Sequence, residues 1–386
     1  MLTITKTNPL LIFLFVFLGS IIIEPVFCKG VVHNAPTECL IKDEIKELKP
    51  GIKLHTVQTT NNRGPIVAYV LEVDLANKNI SIKAGLPDKD KIKVKDTLTN
   101  IVKSHRAFAG INANYFDVKA GNPLGTLIAD NEWIVGPVYN RAALGISKDN
   151  EVFIDKVMLI GNVTVYRGFR KKELGMFFVD GLNIPYDFYK GVGLFTSNWG
   201  KELILPENKV ARIVKGGRIN KIEEDVLEIK IPSNGYALIA REDYVLDFLE
   251  KGDRLKIEWL REPDWSLVTE AISGGPYLLK EGMIFIDEKE ENFRFSKNDT
   301  YAPRSAVGIG KNNNLFLIAV DGRNNNHSVG LSLYELADLL KKLEITDAIN
   351  LDGGGSTTLV VEGKVVNKLS DRHERKISNG LLIFYK

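Results

Sequence analysis

The run Leu315-Phe316-Leu317-Ile318-Ala319-Val320, closed by Asp321-Gly322-Arg323, and the later run Ala348-Ile349-Asn350-Leu351, closed by Asp352-Gly353-Gly354-Gly355-Ser356, decide how this chain is read. Each is an uninterrupted apolar segment of strand length that ends abruptly in an aspartate and glycine. Between them Ser332 and Glu335 have the spacing of a capping box. They open a helix whose apolar face is Leu333, Leu336, Ala337, Leu340 and Leu343. Strand, helix and strand in this order predict a right-handed parallel crossover. Its geometry places Asp321 and Asp352 as neighbours at one sheet edge, the edge at which such sheets bind ligands.

Working outward, Ile66–Leu75 and Ile80–Ile82 read as strands divided by a turn at Asn77-Lys78-Asn79. A short helix is predicted over Thr97–His105, with Leu98, Ile101 and Val102 on one face and Asp96 as its N-cap. Many short strands fill residues 107–320, with a further helix expected at Glu242–Lys251. Thr357–Val366 reads as a hairpin turning at Glu362-Gly363-Lys364, and Leu381–Tyr385 as a last strand. The fold class that follows is mixed α/β (α+β): one large domain, residues 51–386, built on mixed β-sheets with a βαβ unit near its C-terminus. Residues 29–50 form a charged lead-in, expected to be helical.

Residues 1–28 are read apart from the domain. Lys6 precedes an apolar run from Pro9 to Ile23, then come Pro25 and a cleavage-like Val26-Phe27-Cys28. The run has signal-peptide length and falls short of the ~20 residues of a spanning helix. An exported protein is expected, secreted, periplasmic or envelope-associated, with no stable membrane span once the segment is cleaved. With 51 Lys+Arg against 49 Asp+Glu the net charge is +2, which argues against a dedicated nucleic-acid binder. Two cysteines rule out a disulfide scaffold and a Cys-rich metal site.

The chemistry-bearing residues are aspartates, asparagines and arginines beside glycines; there is no GxSxG, HExxH or phosphate-loop motif. Three glycines after a buried strand carry an entropic cost, explained by a tight turn or by backbone amides brought against an anion. Asn112, Asn114 and Asp117 end another apolar segment, a pattern that by itself is an Asx turn. Arg304 and Arg375 each stand just ahead of a strand, placed for a surface ion pair or for gripping a phosphate or carboxylate.

Seven segments then occur in order: NANYFD (Asn112–Asp117), ISGGPYLL (Ile272–Leu279), PRSAVG (Pro303–Gly308), DGR (Asp321–Arg323), SVGLSL (Ser328–Leu333), NLDGGGSTTL (Asn350–Leu359) and RKISNGLL (Arg375–Leu382). This series resembles the phosphodiester glycosidase family from about residue 50 to the C-terminus. Asn324-Asn325-Asn326-His327 departs from the family's usual wording. The resemblance implies a minimal, bacterial-type member acting on a phosphate-containing glycan, an N-acetylglucosamine-like sugar joined through phosphate at its anomeric carbon. On that reading Asp321 and Asp352 are the catalytic carboxylates at C1. Arg304, Arg323 and Arg375 clamp the phosphate, and Gly353, Gly354, Gly355, Ser356 and Thr357 add donors. Asn112, Asn114 and Asp117 hold sugar hydroxyls or brace the aspartates. No cofactor is required, although a divalent cation on the aspartates is compatible with the alternative of a metal-dependent phosphodiesterase cleaving P–O. A non-catalytic, secreted glycan-binding protein is the other alternative.

Overall fold

A computed structural model describes residues 42–386 apart from 89, 287 and 294–299; the leader segment lies outside the described residues. The described residues contain 27 strands and two α-helices, which corrects the mixed α/β expectation to a mostly β architecture. An eight-stranded sheet has Leu315–Val320 near its middle. It runs in the order 42–49, 52–61, 64–73, 315–320, 304–310, 345–350, 277–280, 283–284. Two five-stranded sheets and a closed barrel of seven strands, drawn from residues 158–262, complete the chain's main β elements.

The strand–helix–strand segment from which that expectation came keeps its elements but not its pairing. Leu315, Leu317 and Ala319 face the main core, with Leu71, Val307, Ile349 and Leu381. Ile318 and Val320 face the other way, onto Leu333, Leu336, Ala337 and Leu340 of the helix Leu333–Lys342. Burial on both faces gives a continuous apolar run whether the neighbours are parallel or not. Here both neighbours, 64–73 and 304–310, are antiparallel. The strands 315–320 and 345–350 are both antiparallel to 304–310, which lies between them. They are therefore parallel to each other, but not adjacent as in a simple βαβ unit. The consequence for position survives: the C-terminal ends of 315–320 and 345–350 and the start of 304–310 close one sheet edge.

Local signals held where they were self-contained. The helix at 333–342 has the full Ser332–Glu335 capping box, and the hairpin turns at Glu362 and Gly363. The first helix, Leu98–His105, is capped by Thr97 instead of Asp96. Two helical expectations are overturned. Lys42–Lys49 is an edge strand paired with 52–61, and residues 243–245 form a single 3-10 turn. The charged alternation in the lead-in had no long-range partner visible in the sequence, and pairing decides strand formation.

Candidate active site

The edge where the strands end meets a second sheet, 364–365, 359–361, 109–112, 380–385 and 80–85. The main chain passes between the two there. Leu351 N donates to Ser305 O at 2.8 Å and Asp352 N to Ala113 O at 3.0 Å. Asn112 ties the corner: its amide donates to Asp352 O, while its carbonyl accepts from Ser305 Oγ at 2.8 Å and Thr358 N at 3.1 Å. Asn114 is similarly engaged, accepting from Ser273 N and Asn379 Nδ2 and donating to the carbonyls of Gly125 and Thr126. Both asparagines are buried. Asp117 stands apart in an Asx turn, accepting from the Lys119 and Ala120 amides at 2.8 Å.

The glycine turn is a single 3-10 turn over Gly354–Ser356. Gly354 takes a φ of +63°, the left-handed region that favours glycine. The amides of Gly354, Ser356 and Thr357 close the turn onto Pro303, Gly353 and Gly354 carbonyls. Gly355 is bare for a different reason. A Cβ there would lie 2.0 Å from Arg375 Nη2 and 2.1 Å from Asp371 Oδ2. These two side chains form an ion pair against the turn, with Nη2 and Nε of Arg375 at 2.6 and 3.1 Å from Asp371 Oδ2. Arg323 joins the pair, Nη1 lying 3.8 Å from Asp371 Oδ1 and 3.4 Å from Ser370 Oγ. Two of the three arginines thus converge on the turn through Asp371, which sequence reasoning did not single out. Its spacing of four from Arg375, within a charged stretch, was the available signal.

Asp352 enters this cluster as its acid. Burial pushes its carboxyl up to about 6, opposed by the nearby Ser356 hydroxyl, the Arg375 charge and the Gly353 amide. The Ser356 hydroxyl is close enough to favour the ionised acid but lies outside hydrogen-bond geometry, and the buried hydroxyls of Thr357 and Thr358 have no hydrogen-bond partner among the described residues. Asp321 directly follows the strand 315–320 and is 1% exposed. Burial raises its pKa, against hydrogen bonds from His327 and the Lys368 amide. Asn367 links the two acids' surroundings, donating to Asp321 Oδ1 at 3.4 Å and to Thr357 O at 3.1 Å.

Arg304 is placed elsewhere. Its buried guanidinium donates from Nε to Leu331 O at 2.8 Å and from Nη2 to Thr300 O at 2.5 Å. With Tyr115, Tyr139, Arg141, Phe188 and Phe293 it lines a cavity of about 500 Å³. Arg141 lies over Phe293, 4.2 Å from the ring centroid, and 5.6 Å from Tyr115 and Tyr139. The cavity's inner wall is Asn350, two residues before Asp352, which donates to Tyr115 Oη at 2.7 Å. The Asn350 side-chain oxygen, Oδ1, is buried without a partner among the described residues. Burial raises the Tyr115 hydroxyl's pKa and the charge of Asp352 adds to this, so the aromatic cavity and the glycine turn adjoin electrostatically. Among the described residues no three His, Cys, Asp or Glu side chains gather as a metal site.

Aromatic rings thus line a cavity beside a turn that carries Arg323, Asp371, Arg375 and Asp352. Residues 208–384 match the phosphodiester glycosidase family model, which bears out the resemblance read from the motifs within that span. N-acetylglucosamine-1-phosphodiester alpha-N-acetylglucosaminidase of Mus musculus is 36% identical over 111 residues, covering 26% of this chain and 21% of that protein. The Homo sapiens enzyme of the same name is 35% identical over the same length. The matches span about a fifth of these relatives. The fold is also that of a hypothetical protein from Synechocystis, with TM-score 0.80 and 23% identity over 92% of this chain and 64% of that one.

Proposed function

We propose that the protein is an exported glycosidase that hydrolyses the C1–O bond of a sugar 1-phosphodiester, the sugar being N-acetylglucosamine-like. The observation that carries this is the meeting of Arg323, Asp371 and Arg375 with Asp352 on the glycine turn, beside an aromatic cavity. A phosphate monoester is already a good leaving group, so cleavage asks little of a general acid. It asks for cations at the phosphate and a carboxylate facing C1. Arg323 and Arg375 suit the first task, and Asp352 the second. The rings of Tyr115, Tyr139 and Phe293 offer faces for a pyranose, and Asn350 Oδ1 an acceptor for a sugar hydroxyl or amide. The family match and the named activity of the mammalian relatives support the substrate class.

The alternative, a metal-dependent phosphodiesterase, would cleave P–O instead. Product analysis on a synthetic α-N-acetylglucosaminyl phosphodiester tests the proposal. Free N-acetylglucosamine and a phosphate monoester are expected. A sugar 1-phosphate with a released alcohol would mean P–O cleavage, and no turnover would leave a binding protein.

A further inference from the structure

Both carboxyl oxygens of Asp321 are engaged. Its Oδ1 accepts from Lys368 N at 2.9 Å and Asn367 Nδ2 at 3.4 Å, and its Oδ2 lies 2.7 Å from His327 Nε2. Both amides donate to Oδ1 and neither meets Oδ2, so the Oδ2 contact follows the charge of the acid: an ionised Asp321 takes the shared proton from His327 Nε2, and a neutral ring then carries its lone pair on Nδ1. Nδ1 makes no hydrogen bond among the described residues. The His327 side chain is 28% exposed against 1% for Asp321, so the histidine is the end of the pair open to a ligand.

The loop that carries the ring is fixed at both ends. His327 N and Ser328 N donate to Asn324 O at 3.0 and 2.8 Å. Ser328 Oγ donates to Asp321 O at 2.7 Å and accepts from Val67 N at 3.1 Å. Through Asn367 the pair is tied to Thr357 on the turn that bears Asp352. Tyr69 senses the Asp321 charge from the neighbouring strand 64–73.

We propose that His327 is the general base for the water that attacks C1, with Asp321 as the positioning residue behind it; this rests on the glycosidase reading above. His327 Nδ1 takes a proton as the water oxygen bonds to C1. The C1–O bond to phosphate breaks and its electron pair leaves on the phosphate oxygen. The products are the free sugar and a phosphate monoester anion, and the histidine's proton passes to solvent.

The test is turnover of an α-N-acetylglucosaminyl phosphodiester by the wild type, His327→Ala, His327→Gln and Asp321→Asn, with thermal melting of each. Both His327 variants should lose about 10²–10⁴-fold in kcat with KM little changed. Added imidazole should restore part of the activity of His327→Ala, in proportion to its concentration, and none in Asp321→Asn, where the ring is still present. An active wild type with unaltered kcat in both His327 variants would overturn this proposal alone. So would a folded His327→Ala that imidazole does not rescue. An inert wild type would instead overturn the glycosidase reading itself. If the variants do not fold, ¹⁵N NMR of the wild-type ring decides: a proton on Nε2 supports the pair, and one confined to Nδ1 overturns it.

Discussion

Asp352→Asn is expected to lower kcat on a sugar 1-phosphodiester by about a thousandfold or more while leaving the fold intact, in the range for losing a group that stabilises transition-state charge. The fold should tolerate it because the structural contacts of this residue run through its backbone. Its N donates to Ala113 O and its O accepts from Asn112. The carboxyl, pushed up to about 6 by burial, is ionised only above that pH. If the anion faces C1, wild-type activity falls as pH drops through about 6. The sign for stability is opposite. The folded acid holds its proton more tightly than the unfolded one, whose pKa is near 3.8, so ionising it costs folding free energy as pH rises from about 4 through 6. Asp352→Asn removes that cost. Its melting temperature should equal or exceed the wild type's at pH 8, and the two should draw together at pH 4. A variant both inactive and markedly less stable at pH 8 would show that the carboxylate holds the structure instead.

Gly355→Ala separates the proposed phosphate clamp from the fold. The added methyl would meet the far ends of Arg375 and Asp371, which can swing outward, and no φ in the left-handed region bars a side chain there. The clamp therefore moves while the turn stays. Losing one charge-assisted contact to phosphate is worth roughly 1.5–3 kcal/mol, about ten- to a hundredfold in KM. Arg375 also favours the ionised form of Asp352, so its displacement should move the acid limb of the pH profile upward. Steady-state kinetics across pH, with thermal melting as the control, check both effects. An unchanged KM would place the phosphate elsewhere, Arg304 and Arg141 in the aromatic cavity being the next cations to examine.

The ends of strands were legible in the sequence; their partners were not. Asp321, Asp352 and the glycine turn could be placed at one edge because an apolar run that stops at an aspartate and glycine is a local signal. The capping box at Ser332 and the hairpin at Glu362-Gly363 were legible for the same reason. The α/β expectation generalised from one strand–helix–strand segment, whereas the described residues hold only two α-helices and the antiparallel strand 304–310 separates the two strands of that segment. Closure of residues 158–262 into a barrel depends on register between strands up to a hundred residues apart, such as 158–167 with 254–262, which no window of sequence contains. The same limit applied to side chains. Asp371 meets Arg323 across 48 positions, while its pairing with Arg375 and that of His327 with Asp321 are local but lie in polar stretches with no apolar pattern to mark them.

The central claim is that the bond broken lies between carbon and oxygen at the anomeric centre, with the phosphate leaving whole. Hydrolysis of an α-N-acetylglucosaminyl phosphodiester in oxygen-18 water, followed by mass spectrometry of both products, tests it most directly. The account predicts the label in the sugar's anomeric hydroxyl and none in the phosphate monoester. Label in the phosphate, with an unlabelled sugar, would contradict it.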